Sequence, residues 1–188
     1  MKKIDGGVTT PLGWMAAGVH CGIKRERLDL ALLYSEHPTI GACTFTQNRM
    51  RAAPVEYMVA RKNHNIRAFI INSGNANAIT GKQGYEDASA MVEQTARELD
   101  LDSLEVGVSS TGVIGRYLPM DKISAGITKA VSELARGREA DHRAAQAILT
   151  PDSHPKESVA RGQGYVVGGM AKGAGMIAPD MATMLAVI

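Results

Sequence analysis

The segment Lys172-Gly173-Ala174-Gly175-Met176-Ile177-Ala178-Pro179-Asp180-Met181-Ala182-Thr183-Met184-Leu185 gathers residue types that could do chemistry. Gly173 and Gly175 permit backbone turns closed to other residues. Pro179 fixes one φ angle on the approach. Thr183 then places a hydroxyl at the head of an apolar run ending at Ile188. On residue types alone this is either a structural loop before a core strand or a loop presenting a reactive hydroxyl. A threonine hydroxyl is a weak nucleophile until something takes its proton. A second polar, glycine-containing stretch is Ser110-Thr111-Gly112-Val113-Ile114-Gly115. By composition it reads as a strand-end turn.

Other chemistries find little support. A phosphate-cradling GxxxxGK[ST] loop would end at Gly81-Lys82, but position 76 is Ala and position 83 is Gln. A dinucleotide GxGxxG fails after Gly173-Ala174-Gly175 because position 178 is Ala. His20 and Cys21 adjoin, but no CxxC or HExxH accompanies them, so core packing is the plainer reading. No carboxylate pair or Ser-His-Asp pattern competes for a catalytic role. With 21 basic and 19 acidic residues the net charge is +2. No basic cluster interleaves with aromatics, which argues against nucleic acid.

The elements that must position these residues follow from periodicity. At 188 residues with 45% hydrophobic and 21% charged residues, the chain has the balance of one globular domain over 1–188. Strands are expected over 14–23, 28–34 and 40–46, the last bounded by Pro38. A helix is expected over 52–63, with Pro54 in its first turn and Val55, Met58 and Val59 on its apolar stripe. Arg67 to Asn72 is a buried strand signal running into the polar loop 73–78. Helices follow over 84–99, with Ala88, Met91, Val92, Thr95 and Leu99 inward, and over 120–134, with Ile123, Ile127, Ala130, Val131 and Leu134 inward. Between them 104–109 alternates like a strand. A short helix over 141–149, a strand over 158–170, a loop over 172–180 and a final strand from Thr183 complete the pattern. Mixed strands and helices imply an α/β or α+β layered domain. That final apolar run carries no turn signal, so partner strands from elsewhere are expected.

Lys172 to Leu185 closely resembles the autoprocessing motif of the ornithine acetyltransferase (glutamate N-acetyltransferase) family. Ser110 to Gly115 resembles that family's oxyanion-hole segment. Ile148-Leu149-Thr150-Pro151-Asp152 with Pro155-Lys156 resembles its substrate-contacting turn, with Pro151 and His154 departing from the usual residues. Gly7-Val8-Thr9-Thr10-Pro11-Leu12-Gly13 and Ile71-Asn72-Ser73-Gly74-Asn75-Ala76-Asn77 also resemble family segments, in the family's order. The fold this implies is a layered helix–sheet sandwich of the self-processing type.

The resemblance implies cleavage between Ala182 and Thr183, with residues 183–188 beginning a second, nucleophile-bearing polypeptide. Thr183 would then carry both its hydroxyl and a free α-amine to serve as base. It would take acetyl from N-acetylornithine and pass it to glutamate. Thr111 and Gly112 would donate hydrogen bonds to the oxyanion. Thr150 and Lys172 would bind substrate, Lys172 as the cation facing a carboxylate; a lysine beside a glycine is otherwise an ordinary solvated charge. The implied assembly has two copies of each polypeptide. No cofactor or metal is expected, and acetyl-CoA stays open as a second acetyl donor. Two rivals remain: a self-processing aminopeptidase of similar architecture, and a non-catalytic assembly subunit. Two cysteines do not make a disulfide framework. With no long apolar run after the charged N-terminus, the cytoplasm is the expected location and no membrane the expectation.

Overall fold

The structure is a computed structural model and describes residues 1–61, 65–173, 175 and 184–188. Two 4-stranded sheets organise it. The first contains β2 (Trp14–Val19), β3 (Leu30–Ser35), β4 (Ala68–Asn75) and β5 (Val106–Val113), in that order. The second has the order β1 (Lys2–Ile4), β6 (Lys156–Arg161), β7 (Val166–Lys172) and β8 (Leu185–Val187). Every pairing is antiparallel except β4 with β5, which is parallel. Helix α2 (Gly81–Leu99) connects those two parallel strands, as such a crossover requires.

Strand β3 explains the layering. Successive side chains on a strand point to opposite faces. Leu30 and Leu32 enter a core shared with Met91 and Val92 of α2 and Ile123 and Ile127 of α3 (Met120–Ser132). Ala31 and Leu33 enter a second core with Ala144 and Ala145 of α4 (Arg138–Ala147), Ile148 and Met170. Ile70 and Ile71 of β4 divide in the same way. Burial on both faces is why these strands read as continuous apolar runs rather than alternating ones. The layers are therefore helices, the first sheet, then α4 with the second sheet. The expected layered α/β sandwich is what forms.

Several boundaries differ from the expectations. No strand forms at Ile40–Thr46; Ile40 is 88% exposed. The segment has strand composition, but composition describes fit to a half-buried pleated surface, and here no sheet face receives it. The expected strand over 158–170 is a hairpin, β6 and β7, turned at Gly162 to Tyr165; Gly162 N–H donates to Tyr165 C=O, and Gly164 has φ +83°. Helix α1 (Ala53–Ala60) buries Ala53, Pro54 and Met58, while Val59 is 43% exposed, so its inward face is rotated from the expected stripe. Helix α4 begins at Arg138 rather than 141. Ser110 to Val113 belong to β5 rather than to a turn after it, and Lys172 is the last residue of β7.

Candidate active site

Thr111 and Gly112 lie near the end of β5, beside the end of β4. The parallel register sets Ser73 against Thr111 and Gly74 against Gly112. This register admits glycine only: a Cβ on Gly112 would lie 2.3 Å from the Gly74 carbonyl carbon, and Gly112 has φ +135°. A side-chain network fixes the paired strand ends. Ser110 Oγ donates to Asn72 Oδ1 at 2.6 Å, Asn72 Nδ2 to Asn75 C=O at 2.8 Å, and Asn75 Nδ2 to Tyr117 C=O at 3.0 Å. Asn72 and Asn75, both within β4, thus act by satisfying polar groups at the paired strand ends beside Thr111.

Lys172 reaches this point from the second sheet. It is 3% exposed, and its Nζ donates to Thr111 Oγ1 at 3.0 Å. Burial pushes its pKa below the usual lysine range; nearby Asp152 opposes that shift and Lys156 adds to it. The plainer alternative, a solvated surface lysine, is excluded by this burial. A hydroxyl that accepts a bond from an ammonium is a stronger donor through its own hydrogen. Thr111 is therefore primed to donate.

The Thr150 turn joins the same place through Asp152. Asp152 Oδ1 accepts from Gly173 N–H at 2.8 Å and from Lys156 Nζ at 2.9 Å, and Oδ2 accepts from Thr150 N–H at 3.4 Å. Lys156 Nζ also donates to Gly173 C=O at 2.9 Å. The pair thus grips both polar groups of the residue that follows Lys172. Burial pushes the Asp152 carboxyl up, but the hydrogen bonds from Lys156, Gly173 and Thr150 outweigh it and hold its pKa at about 2. It is an anion across the physiological range.

The structure brings Thr111, Gly112, Thr150 and Lys172 into one connected group. Thr183 and Ala182 lie outside the described residues. The Gly7–Gly13 segment is an anchor: Thr9 N–H donates to the buried Asp141 of α4 at 2.8 Å, and Thr9 Oγ1 accepts from Gly137 N–H at 3.0 Å. His20 and Cys21 form no metal centre in the described residues. His20 Nε2 instead lies 2.9 Å from Lys24 C=O, and burial and the Asp29 charge push the Cys21 thiol up to about 12. Lys24 and Asp29 carry no motif signal, yet both bind backbone next to the site; the one hint was an acid inside the apolar run Leu28 to Leu33. An apolar cleft of about 280 Å³ lies elsewhere, between Val8, Trp14, Leu33, Val166 and Val187, and none of its lining side chains is titratable.

A model of the ArgJ family matches residues 15–188. The arginine biosynthesis bifunctional protein ArgJ of Mycolicibacterium paratuberculosis is 47% identical, with 97% of this chain and 47% of that protein covered. Its counterpart from Listeria monocytogenes is 45% identical, with 100% of this chain and 48% of that protein covered. The chain thus spans about half the length of the curated relatives it matches. A crystal structure of ornithine acetyltransferase from Mycobacterium tuberculosis, complexed with ornithine, superposes with a TM-score of 0.89 at 45% identity, covering 94% of this chain and 96% of that one. The arginine biosynthesis bifunctional protein ArgJ of Bacillus halodurans gives 0.86 at 40% identity, covering 96% and 97%.

Proposed function

The chain belongs to the ArgJ family, and from that premise we propose that it is the N-terminal polypeptide of a self-processing ornithine acetyltransferase. The observation that carries this reading is the Lys172–Thr111 hydrogen bond, made beside Gly112 and tied to Thr150 through Asp152. Those residues are the ones the family resemblance assigns to the oxyanion and the substrate. The solved M. tuberculosis chain is covered to 96% while the curated relatives are covered to about half. That contrast supports a protein whose relatives function as two polypeptides.

In the proposed chemistry, the Thr183 hydroxyl attacks the Ala182 carbonyl, and the acyl group moves from nitrogen to oxygen. Water then hydrolyses the ester, leaving Thr183 with a free α-amine. That amine titrates near ~8, so it can take the hydroxyl proton at neutral pH. Thr183 Oγ next attacks the acetyl carbonyl of N-acetylornithine. Negative charge collects on the carbonyl oxygen, where the Thr111 hydroxyl and the Gly112 N–H stabilise it. Ornithine leaves with a proton on its amine, and the acetyl ester remains on Thr183. Glutamate attacks that ester by the reverse sequence. Lys172 and Thr150 hold the amino-acid portion of each substrate. No resident cofactor or metal enters this scheme; acetyl-CoA would act as an alternative donor. The active form pairs this polypeptide with the nucleophile-bearing one, two of each, in the cytoplasm. No helix among the described residues is long and apolar enough to cross a membrane.

The test has two readings. The full-length precursor should yield a second polypeptide beginning Thr-Met-Leu, and Thr183→Ala should leave one uncut chain. Purified enzyme should pass acetyl from acetylornithine to glutamate faster than to water. Hydrolysis without transfer would favour the peptidase-like alternative; any other starting residue would sink the Thr183 assignment.

A further inference from the structure

A fully buried acid outside the proposed chemistry organises a loop beside the site. Asp29 accepts hydrogen bonds from the backbone N–H groups of Cys21 at 2.7 Å, Gly22 at 3.1 Å and Lys24 at 2.9 Å. Its own C=O accepts from Ser73 N–H at 2.8 Å. The loop after β2 is thereby wrapped around one carboxylate and pinned to the end of β4. Charge-assisted bonds of this kind are roughly twice as strong as neutral ones.

This wrapping sets the direction of Lys24. Its stem passes over Gly74, where a Cβ would stand 3.1 Å from Lys24 Cγ. Its Nζ donates to Leu28 C=O at 2.8 Å and to Leu149 C=O at 2.6 Å. The second bond bears on the site. The Leu149 carbonyl and the Thr150 N–H belong to one planar peptide unit. Lys24 holds the carbonyl end of that unit, and Asp152 holds the N–H end. A peptide plane gripped at both ends fixes the frame from which the Thr150 side chain projects.

We propose that Lys24 is a positioning residue for substrate binding, acting through Thr150 by locking the Leu149–Thr150 peptide plane. The inference rests on the reading of Thr150 as a substrate contact. A plain packing role, in which Lys24 only caps the chain after α4, makes a different prediction. Packing damage and loss of the Thr150 contact would then be independent, and their effects would multiply.

The experiment is a double-mutant cycle in the assembled two-polypeptide enzyme, comparing wild type, Lys24→Met, Thr150→Val and the double variant. Ornithine binding is read by calorimetry, and acetyl transfer by steady-state kinetics. Lys24→Met should raise KM for acetylornithine and weaken ornithine binding by about tenfold, the scale of one charged hydrogen bond, with a much smaller change in kcat. In the Thr150→Val background it should add less than about twofold. Multiplying effects, or a loss confined to kcat, would overturn the proposal. Lys24→Gln, a shorter neutral donor, enters the same cycle if the methionine variant does not assemble. A wild-type enzyme that binds ornithine yet transfers no acetyl group would defeat the transferase reading alone, and the cycle is then decided by ornithine binding.

Discussion

Lys172 and Thr111 meet at 3.0 Å from different sheets, Lys172 at the end of β7 and Thr111 near the end of β5. The bond joins the two sheets at the place where the parallel pair β4–β5 ends. It also gives the hydroxyl a fixed acceptor role, so that its own hydrogen points elsewhere. Removing that hydroxyl should therefore affect charge developing in a transition state more than it affects ground-state binding. Thr111→Ala is expected to lower kcat by about 10²- to 10³-fold with little change in KM, the effect of one lost oxyanion donor. Steady-state kinetics on both half-reactions reads this. A raised KM with normal turnover would place Thr111 among the substrate contacts instead.

Lys172→Met keeps the stem and removes the charge. Acetylornithine and glutamate both carry an α-carboxylate, so both half-reactions should suffer, with KM rising about 10-fold or more on the scale of a charged hydrogen bond. The Ala182–Thr183 peptide, the proposed cleavage site, brings no free carboxylate, so cleavage should persist at least in part. Gel analysis of processing beside the two KM values separates the effects. A variant as fast as wild type at limiting substrate would remove Lys172 from binding.

The parts legible in the sequence were those governed by one-dimensional pattern. Strands β3 and β4 showed themselves as apolar runs because both their faces are covered, and α2 and α3 through their 3.6-residue stripes. Residues 40–46 misled because strand-like composition does not supply a neighbouring sheet. The Gly162-Gln163-Gly164 turn was readable, but the flanking apolar residues masked it. The site residues came from family resemblance, since Thr111, Thr150 and Lys172 are far apart in the chain and no spacing rule connects them. Lys24 and Asp152 act on backbone groups, and such partners are fixed only once the chain is folded.

Asp152→Asn tests the clamp on the segment after Lys172. The folded carboxyl has a pKa of about 2 against an ordinary 3.8, so its contribution to stability is fully present above about 4 and is lost as pH falls through about 2. The substitution should cost about 1–3 kcal/mol at neutral pH by weakening a buried charged cluster. Denaturant melts from pH 7 to pH 2 should show the gap between wild type and variant closing with acid. Substrate KM should rise as well, because Gly173 N–H and Thr150 N–H bond different carboxylate oxygens and the amide keeps only one acceptor, so one of the two loses its partner. A gap constant with pH would mean that the ionised form of Asp152 is not what stabilises the fold.

Lys24 gives a pH dependence in which binding and stability move in opposite directions. Burial lowers its pKa from 10.5 to about 8; the charges of Arg27 and Lys172 add to the shift, while Asp29 and Cys21 oppose it. Above about 8 the folded protein releases this proton, whereas the unfolded chain holds it until about 10.5. The unfolded state then binds more protons, so this group's contribution to stability rises with pH across that window. The bond to Leu149 C=O meanwhile loses its charge assistance and weakens. Wild-type KM for acetylornithine should therefore climb through pH 8, while the KM of Lys24→Met, already raised, follows only the other groups. The ratio of the two should shrink toward alkaline pH as wild-type stability gains on that of the variant. Kinetics and thermal melts on both proteins from pH 7 to 10 read the two trends. A KM ratio that stays constant while wild-type stability gains on that of the variant would leave Lys24 a half-buried charge that does nothing for Thr150.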